Sequence, residues 1–217
     1  MSIKFLKPMF AVGISAAFLF TMNSCEQKKS GQDQTQETAE SHEGHDHEGH
    51  DHGTASVVEV PDYSNVSQEA KNQIKEVYQS YISLKNGLVE SSQEKAQKAA
   101  QSLEDKASKV NTEAIEGDAK AFVDEQITAV KNYSEKIASA SDIDGQREHL
   151  EGLSSSLFAL VKATASNPET AYYQFCPMAN DDKGGYWLSE KKEIENPYFG
   201  ESMLKCGESK ETLSHNM

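Results

Sequence analysis

Two short sulfur-bearing segments near the C-terminus contain the residues best suited to chemistry. The first is Cys-Pro-Met at 176–178, and the second is Met-Leu-Lys-Cys at 203–206. Each segment pairs a thiol with a thioether, so four soft sulfur donors converge if the intervening chain folds back on itself. Such ligands select cuprous copper over hard cations. The pattern therefore predicts a copper site with four candidate ligands: Cys176, Met178, Met203 and Cys206.

A histidine-rich stretch lies far from these cysteines, in the N-terminal part of the chain. It reads SHEGHDHEGHDHG at 41–53, in which EGHDH occurs twice. Neutral imidazoles at this density chelate Zn²⁺, Cu²⁺ or Ni²⁺, and the interleaved carboxylates raise the local concentration of cations. Because nothing pre-organises the ligands, we expect weak binding at several sites; the alternative is an acidic solubilising spacer. The candidate ligands are His42, His45, His47, His50 and His52.

The N-terminus has the features of a bacterial lipoprotein signal. Lys4 and Lys7 precede an apolar run at 10–20 that is too short to span a bilayer. Met-Asn-Ser-Cys follows at 22–25 and resembles a lipobox. We therefore expect residues 1–24 to be removed and Cys25 to be acylated, which would anchor the protein to a membrane of a Gram-negative cell envelope. The folded part would lie in the periplasm or at the cell surface. A plain signal peptide cleaved elsewhere is the alternative.

Acylation of Cys25 would leave Cys176 and Cys206 as an even pair in an oxidising compartment. Disulfides form and persist in such compartments, so a Cys176–Cys206 bond is the alternative to a metal site. It would close a loop of about 30 residues and contribute about 3–4 kcal/mol under the entropic account of disulfides. The residue types alone leave metal and disulfide equally open.

Charge and motif content exclude several classes of function. The formal net charge of −14 repels nucleic acid and anionic lipid and favours cations. The sequence contains no glycine-rich phosphate loop, no nucleophile elbow and no zinc-protease motif. We therefore expect neither a nucleic-acid partner nor an enzymatic activity.

The elements that must position the cysteines fall into three parts after the signal sequence. Residues 25–60 are polar, without hydrophobic periodicity, and are expected to form a disordered tether. Residues 61–166 contain four amphipathic segments of about twenty residues, which predict an antiparallel four-helix bundle. The prolines and glycines of residues 167–217 rule out a long helix and predict a small loop-rich Cys/Met/aromatic cap. The expected fold class is therefore all-α. Four residues are expected to be buried together: Leu103, Ile127, Leu153 and Leu157.

The cap also resembles a known family. Cys-Pro-Met at 176–178, Trp-Leu at 187–188, Asn-Pro-Tyr-Phe-Gly at 196–200 and Met-Leu-Lys-Cys-Gly at 203–207 occur in the order typical of a bacterial domain of unknown function. That domain is found in envelope lipoproteins and at the C-terminus of periplasmic adaptor (membrane-fusion) subunits of copper/silver-type efflux pumps. The resemblance covers about the last 75 residues, with one departure: Ala-Asn at 179–180 stands where the related heavy-metal motif continues with His-Pro. It implies a role in heavy-metal handling.

Together these patterns predict a non-enzymatic, lipid-anchored envelope protein that binds copper. It would buffer the ion or pass it to an efflux adaptor or pump, and the tether would collect Cu²⁺, zinc or nickel weakly. The alternative is a structural or interaction module whose cap is closed by a Cys176–Cys206 disulfide and which docks an envelope partner.

Overall fold

The computed structural model describes residues 58–214. The predicted signal sequence, Cys25 and the histidine-rich stretch lie outside the described residues. Within the described range a helical part comes first and a small sheet follows it. One continuous hydrophobic core extends through both parts.

The helical part packs its helices in chain order. Helix α1 lies against α2, α2 against α3, and α3 against α5, which in turn contacts α1. The helix bounds are α1 Gln68–Val89, α2 Gln93–Ser108, α3 Gly117–Ser139, α4 Ile143–Arg147 and α5 Leu150–Thr164.

The spacing of apolar residues explains how these helices pack. In α1 the buried side chains recur every three or four residues, and in α2 the buried side chains are mostly alanine, which allows close approach. A Cβ added at Gly87 would lie 2.8 Å from the backbone nitrogen of Ala96, so glycine is needed where α1 meets α2. The four residues predicted to be buried together are confirmed: Leu103, Leu153 and Leu157 are fully buried and Ile127 is 7% exposed.

The prediction of an all-α fold is wrong, because the cap is built on a β-sheet. Its three strands are β1 (Ala171–Cys176), β2 (Gly185–Ser189) and β3 (Glu208–Leu213). They form an antiparallel sheet in the order β2-β1-β3, so β1 is the central strand. A short helical turn at Ala179–Asp182 and a 3-10 turn at Gly200–Met203 lie in the connections.

Aromatic side chains are the physical reason for the strands. Aromatic residues favour strands, where they pack well on a half-buried pleated surface. Tyr173 of β1 stacks on Phe158 of α5 with ring centroids 3.8 Å apart, and on Tyr186 of β2 at 4.7 Å. The stack attaches one face of the sheet to the bundle. The cap is therefore part of the main core and not a separate loop-rich appendage.

A buried hydroxyl also joins the sheet to the bundle. The Tyr81 hydroxyl of α1 lies 2.7 Å from the Ser154 hydroxyl of α5 and accepts a hydrogen bond from the backbone N–H of Leu188 in β2 at 3.1 Å. All three residues are fully buried. Burial raises the pKa of Tyr81, so this phenol remains protonated throughout the physiological range. The Tyr81 side chain thus fixes two helices and one strand at a single point.

None of the helices between residues 58 and 214 combines the length and the apolar character that crossing a membrane requires.

Replacing Tyr81 with Phe should lower the free energy of unfolding by about 1–3 kcal/mol, because the change leaves the buried N–H of Leu188 and the Ser154 hydroxyl without their common partner. Chemical denaturation followed by circular dichroism measures this loss. Tyr172→Phe, at a half-buried position of β1, is the matched control and should change stability by less than about 0.5 kcal/mol. Equal stability losses in the two variants would show that the Tyr81 hydroxyl does not join the parts as described.

Candidate functional site

The two cysteines of the cap face each other across the fold. Cys176 is the last residue of β1 and is fully buried, whereas Cys206 follows the 3-10 turn and is half-buried. Their Sγ atoms lie 2.9 Å apart, and both residues are free thiols. The structure therefore brings together the two thiols of the predicted four-sulfur set, from segments that are 30 residues apart in the chain.

Asn196 fixes the chain segment that carries Cys206. Its buried side-chain amide donates to the backbone carbonyl of Cys206 at 2.8 Å, while its side-chain oxygen accepts from the N–H of Tyr198, also at 2.8 Å. The backbone N–H of Asn196 donates to the carbonyl of Leu204 at 2.9 Å. These bonds hold the turn that presents the Cys206 thiol to Cys176.

Arg147 attaches the same loop to the helical part. Its Nε donates to the carbonyl of Pro197 at 3.0 Å, and one terminal nitrogen donates to the carbonyl of Leu88 at 3.2 Å and to the Ser91 hydroxyl at 2.9 Å. A planar guanidinium with several fixed donors suits such bridging of carbonyl groups. The Asn-Pro-Tyr-Phe-Gly segment is thereby tied to the ends of α1 and α4, and through Asn196 to Cys206.

Trp187 lies against the backbone directly after Cys206. It is fully buried in β2, and a Cβ added at Gly207 would lie 2.8 Å from the edge of its indole ring. Gly207 also has a φ of +141°, in the region that favours glycine. The Met-Leu-Lys-Cys-Gly segment therefore needs glycine directly after Cys206, because the backbone there passes against the indole.

The contact between the thiols also governs their protonation. The hydrogen bond to Cys176, followed by partial burial, raises the pKa of the Cys206 thiol to about 11. In the reduced, metal-free protein Cys206 therefore keeps its proton at neutral pH. Because the thiolate is the metal ligand, binding of a metal ion must displace this proton.

The two methionines of the predicted set have different surroundings. Met178 is 47% exposed, the largest exposure of a large apolar side chain in the described range, and it lines an open groove of about 830 Å³ that the cysteines do not line. Met203 is half-buried in the 3-10 turn, and its carbonyl accepts from the N–H of Cys206 at 2.9 Å.

The groove lies between α4, the start of α5 and the cap. Phe175, Tyr186 and Phe199 contribute aromatic surface to it. Its carboxylates outnumber its cationic groups, Arg147 and Lys183, so it carries net negative charge. The acidic residues are Asp144, Glu148, Glu151, Asp181 and Asp182.

Among the described residues, no further His, Asp or Glu side chains join the two thiols to form a metal-binding cluster. Between residues 58 and 214, no group of three or more His, Cys, Asp or Glu residues is arranged to hold a metal ion. The predicted histidine ligands His42, His45, His47, His50 and His52 lie outside the described residues.

Three residues that position Cys206 were not predicted from the sequence: Asn196, Arg147 and Gly207. Their signal lay in the motif strings, which were interpreted as marks of a family and not as structural parts. A buried Asn between a charged run and a Pro suggests side-chain bonding to backbone, and a Gly directly after a Cys suggests close packing. The docking of Arg147 against Pro197 had no sequence signal, because the two residues are far apart in the chain.

Comparison with known families places a domain of unknown function in the helical part. Residues 77–169 match the model of a family described as protein of unknown function (DUF3347). The match begins within α1 and ends between α5 and β1, whereas the resemblance drawn from the sequence motifs rests mainly on the cap. Searches of the curated proteins and of the solved structures found no match.

The Cys206 thiol should titrate near pH 11 in the reduced, metal-free protein, two units above the ordinary value of 9.0. A raised pKa means that the folded state holds this proton more firmly than the unfolded chain. Its stabilising contribution is therefore complete below about pH 9 and is lost as the pH rises towards 11. Ultraviolet absorbance of the thiolate measures the titration.

Cys176→Ser is the control for this titration, because it removes the partner sulfur and should bring the pKa of Cys206 back towards its ordinary value. A thiol at Cys206 that ionises below pH 8.5 in the protein with both cysteines would contradict the described contact.

Proposed function

We propose that this protein is a non-enzymatic envelope lipoprotein that binds a soft metal ion as cargo, with cuprous copper as the expected ion. The observation that carries the proposal is the meeting of the buried Cys176 and the half-buried Cys206, whose sulfurs lie 2.9 Å apart. Thiolates are the ligands that soft ions prefer. The fold supplies them as a pair, and the Asn196 amide holds the backbone that carries Cys206.

The donor set fits cuprous copper better than zinc. Structural zinc is almost always four-coordinate, with nitrogen and sulfur ligands, and the described residues offer no such group around the cysteines. A cuprous ion accepts two thiolates in a nearly linear arrangement. With metal–sulfur bonds of about 2.3 Å, two such thiolates would lie roughly 4–5 Å apart, so Cys206 must move away from Cys176 on binding.

The methionines are proposed as auxiliary donors. Met203 lies three residues before Cys206, and its carbonyl accepts from the N–H of Cys206. Met178 would have to turn from the groove towards the thiols. A thioether adds a soft donor without a charge, so its contribution should be smaller than that of a thiolate.

The remaining parts of the proposal concern place and partner. Lipidation at Cys25 would hold the protein at a membrane of the envelope, and the histidine tether would collect Cu²⁺, zinc or nickel. The acidic groove with its exposed Met178 offers a surface on which an efflux adaptor or pump could receive the cargo. The net charge of −14 favours cations throughout.

One observation favours a second candidate function, a structural or interaction module stapled by a disulfide. The separation of 2.9 Å is shorter than two thiolates on one metal ion would have, and a disulfide needs only a further approach to about 2.05 Å. In that case the cap would be a closed loop and the groove would be the docking surface. The methionines would be packing and surface residues.

The reduced protein should take up one cuprous ion tightly under anaerobic conditions, because only then are both thiols available as ligands. Competition with a chromogenic Cu⁺ chelator measures the affinity. Cys176→Ser/Cys206→Ser should abolish the uptake, and Met203→Leu should weaken it without unfolding, because Leu has a similar volume but no donor sulfur.

Peptide mapping under non-reducing conditions separates the two candidates. A fully linked Cys176–Cys206 pair in protein from the envelope, together with no Cu⁺ uptake after reduction, would reject the metal function and favour the stapled module. Met178→Leu should weaken the uptake less than Met203→Leu does, because the Met178 side chain would have to turn from the groove to reach the thiols. Tyr172→Phe, which keeps all four sulfur atoms, is the control and should bind Cu⁺ as the unaltered protein does.

Deletion of residues 42–52 should lower the number of Zn²⁺ or Cu²⁺ ions bound and leave the melting temperature of the metal-free protein unchanged. Ligation requires neutral imidazole. The ions that the deletion removes should therefore be the same ions that the undeleted protein releases as the pH falls below about 6. Isothermal titration calorimetry on both forms measures the difference. If both forms bind the same number of ions, the histidine-rich stretch is a spacer and not a metal-binding segment.

A further inference from the structure

The cysteine pair is arranged for electron transfer as well as for binding. Cys176 is fully buried and Cys206 is half-buried, so an ion from solvent meets Cys206 first. The second sulfur stands directly behind it at 2.9 Å. Cupric ions oxidise thiols, and they do so most readily where two sulfurs can combine.

We propose that the reduced Cys176–Cys206 pair reduces Cu²⁺ to Cu⁺, and is itself converted to a disulfide. The inference rests on the proposed function, because it takes copper to be the cargo. Two Cu²⁺ ions each accept one electron, the two S–H bonds break, one S–S bond forms and two protons go to solvent. The reaction runs once for each reduced pair, and no other oxidant or reductant takes part.

The fold explains how a single protein molecule can supply both electrons, because it holds the two thiols side by side. Cys176 is held at the end of β1, and Cys206 is held by the Asn196 amide and by the turn to Met203. Because the two thiols are held side by side, forming the S–S bond is a unimolecular step. In favourable cases this raises the reaction rate by several orders of magnitude. Closing the disulfide requires the sulfurs to approach by less than about 1 Å.

The burial of the pair also decides which product forms. Cys176 is fully buried, so a second protein molecule cannot reach its sulfur. The disulfide must therefore be intramolecular. A lone thiol at either position would instead be oxidised slowly, or would form dimers through the half-exposed Cys206.

The test uses the full chain carrying Cys25→Ser, purified in detergent, so that Cys176 and Cys206 are its only thiols. The reduced protein is mixed anaerobically with CuSO₄ in the presence of a Cu⁺-specific chromogenic chelator. We expect about two Cu⁺ for each protein, loss of both free thiols and a monomeric product that is two hydrogens lighter. Cys206→Ser and Cys176→Ser should form Cu⁺ at least roughly tenfold more slowly. Tyr172→Phe, which leaves every sulfur atom in place, should react at the unchanged rate.

Three outcomes would overturn the inference. In the first, both thiols remain and electron paramagnetic resonance shows that the copper is still cupric. In the second, disulfides form only between molecules. In the third, the single-cysteine variants form Cu⁺ as fast as the protein that has both cysteines. Failure here is distinguishable from failure of the proposed function. A protein that binds Cu⁺ but leaves Cu²⁺ unreduced retains the binding function and loses this activity. A protein that reduces Cu²⁺, but does not bind Cu⁺ after its disulfide is reduced again, has the reducing activity and lacks the proposed binding function.

Discussion

The position of the sheet, and with it the position of Cys176, depends on the buried hydroxyl of Tyr81. That hydroxyl meets α5 at Ser154 and β2 at the N–H of Leu188, deep in the core. A buried N–H without a partner costs free energy, so the bond to Tyr81 favours this placement of β2 against the two helices. The aromatic stack from Phe158 through Tyr173 to Tyr186 reinforces the same placement. Strand β1 lies between β2 and β3, and its last residue is Cys176.

The second thiol is placed by polar contacts that start from the helical part. Arg147 binds the carbonyl of Pro197, Asn196 binds the carbonyl of Cys206, and Gly207 passes against the indole of Trp187. The motif residues of the cap thus act as positioning residues for a pair of thiols. Hydrogen bonds of this kind are modest singly, but a buried network specifies one geometry. The proposed binding and reduction of copper both rest on this geometry.

The helices were predictable because their apolar residues repeat at the helical period, and Leu103, Leu153 and Leu157 are buried as expected. The sheet was missed because the prolines and glycines around it outweighed the strand preference of Tyr172, Tyr173 and Phe175. Residue types also singled out Cys176 and Cys206 as candidates to meet, and the structure places their Sγ atoms 2.9 Å apart. They could not show that Met178 lines a groove, because side-chain direction after a turn depends on tertiary packing.

We propose that two thiolates of the cap hold a cuprous ion. X-ray absorption at the copper K edge, recorded on the anaerobically loaded protein with residues 42–52 deleted, measures the ligands of the bound ion. We expect a cuprous edge and a first shell of sulfur alone, which is lost when Cys176 and Cys206 are both replaced by Ser. A first shell of nitrogen or oxygen, or an unchanged sulfur shell in the double variant, would contradict it.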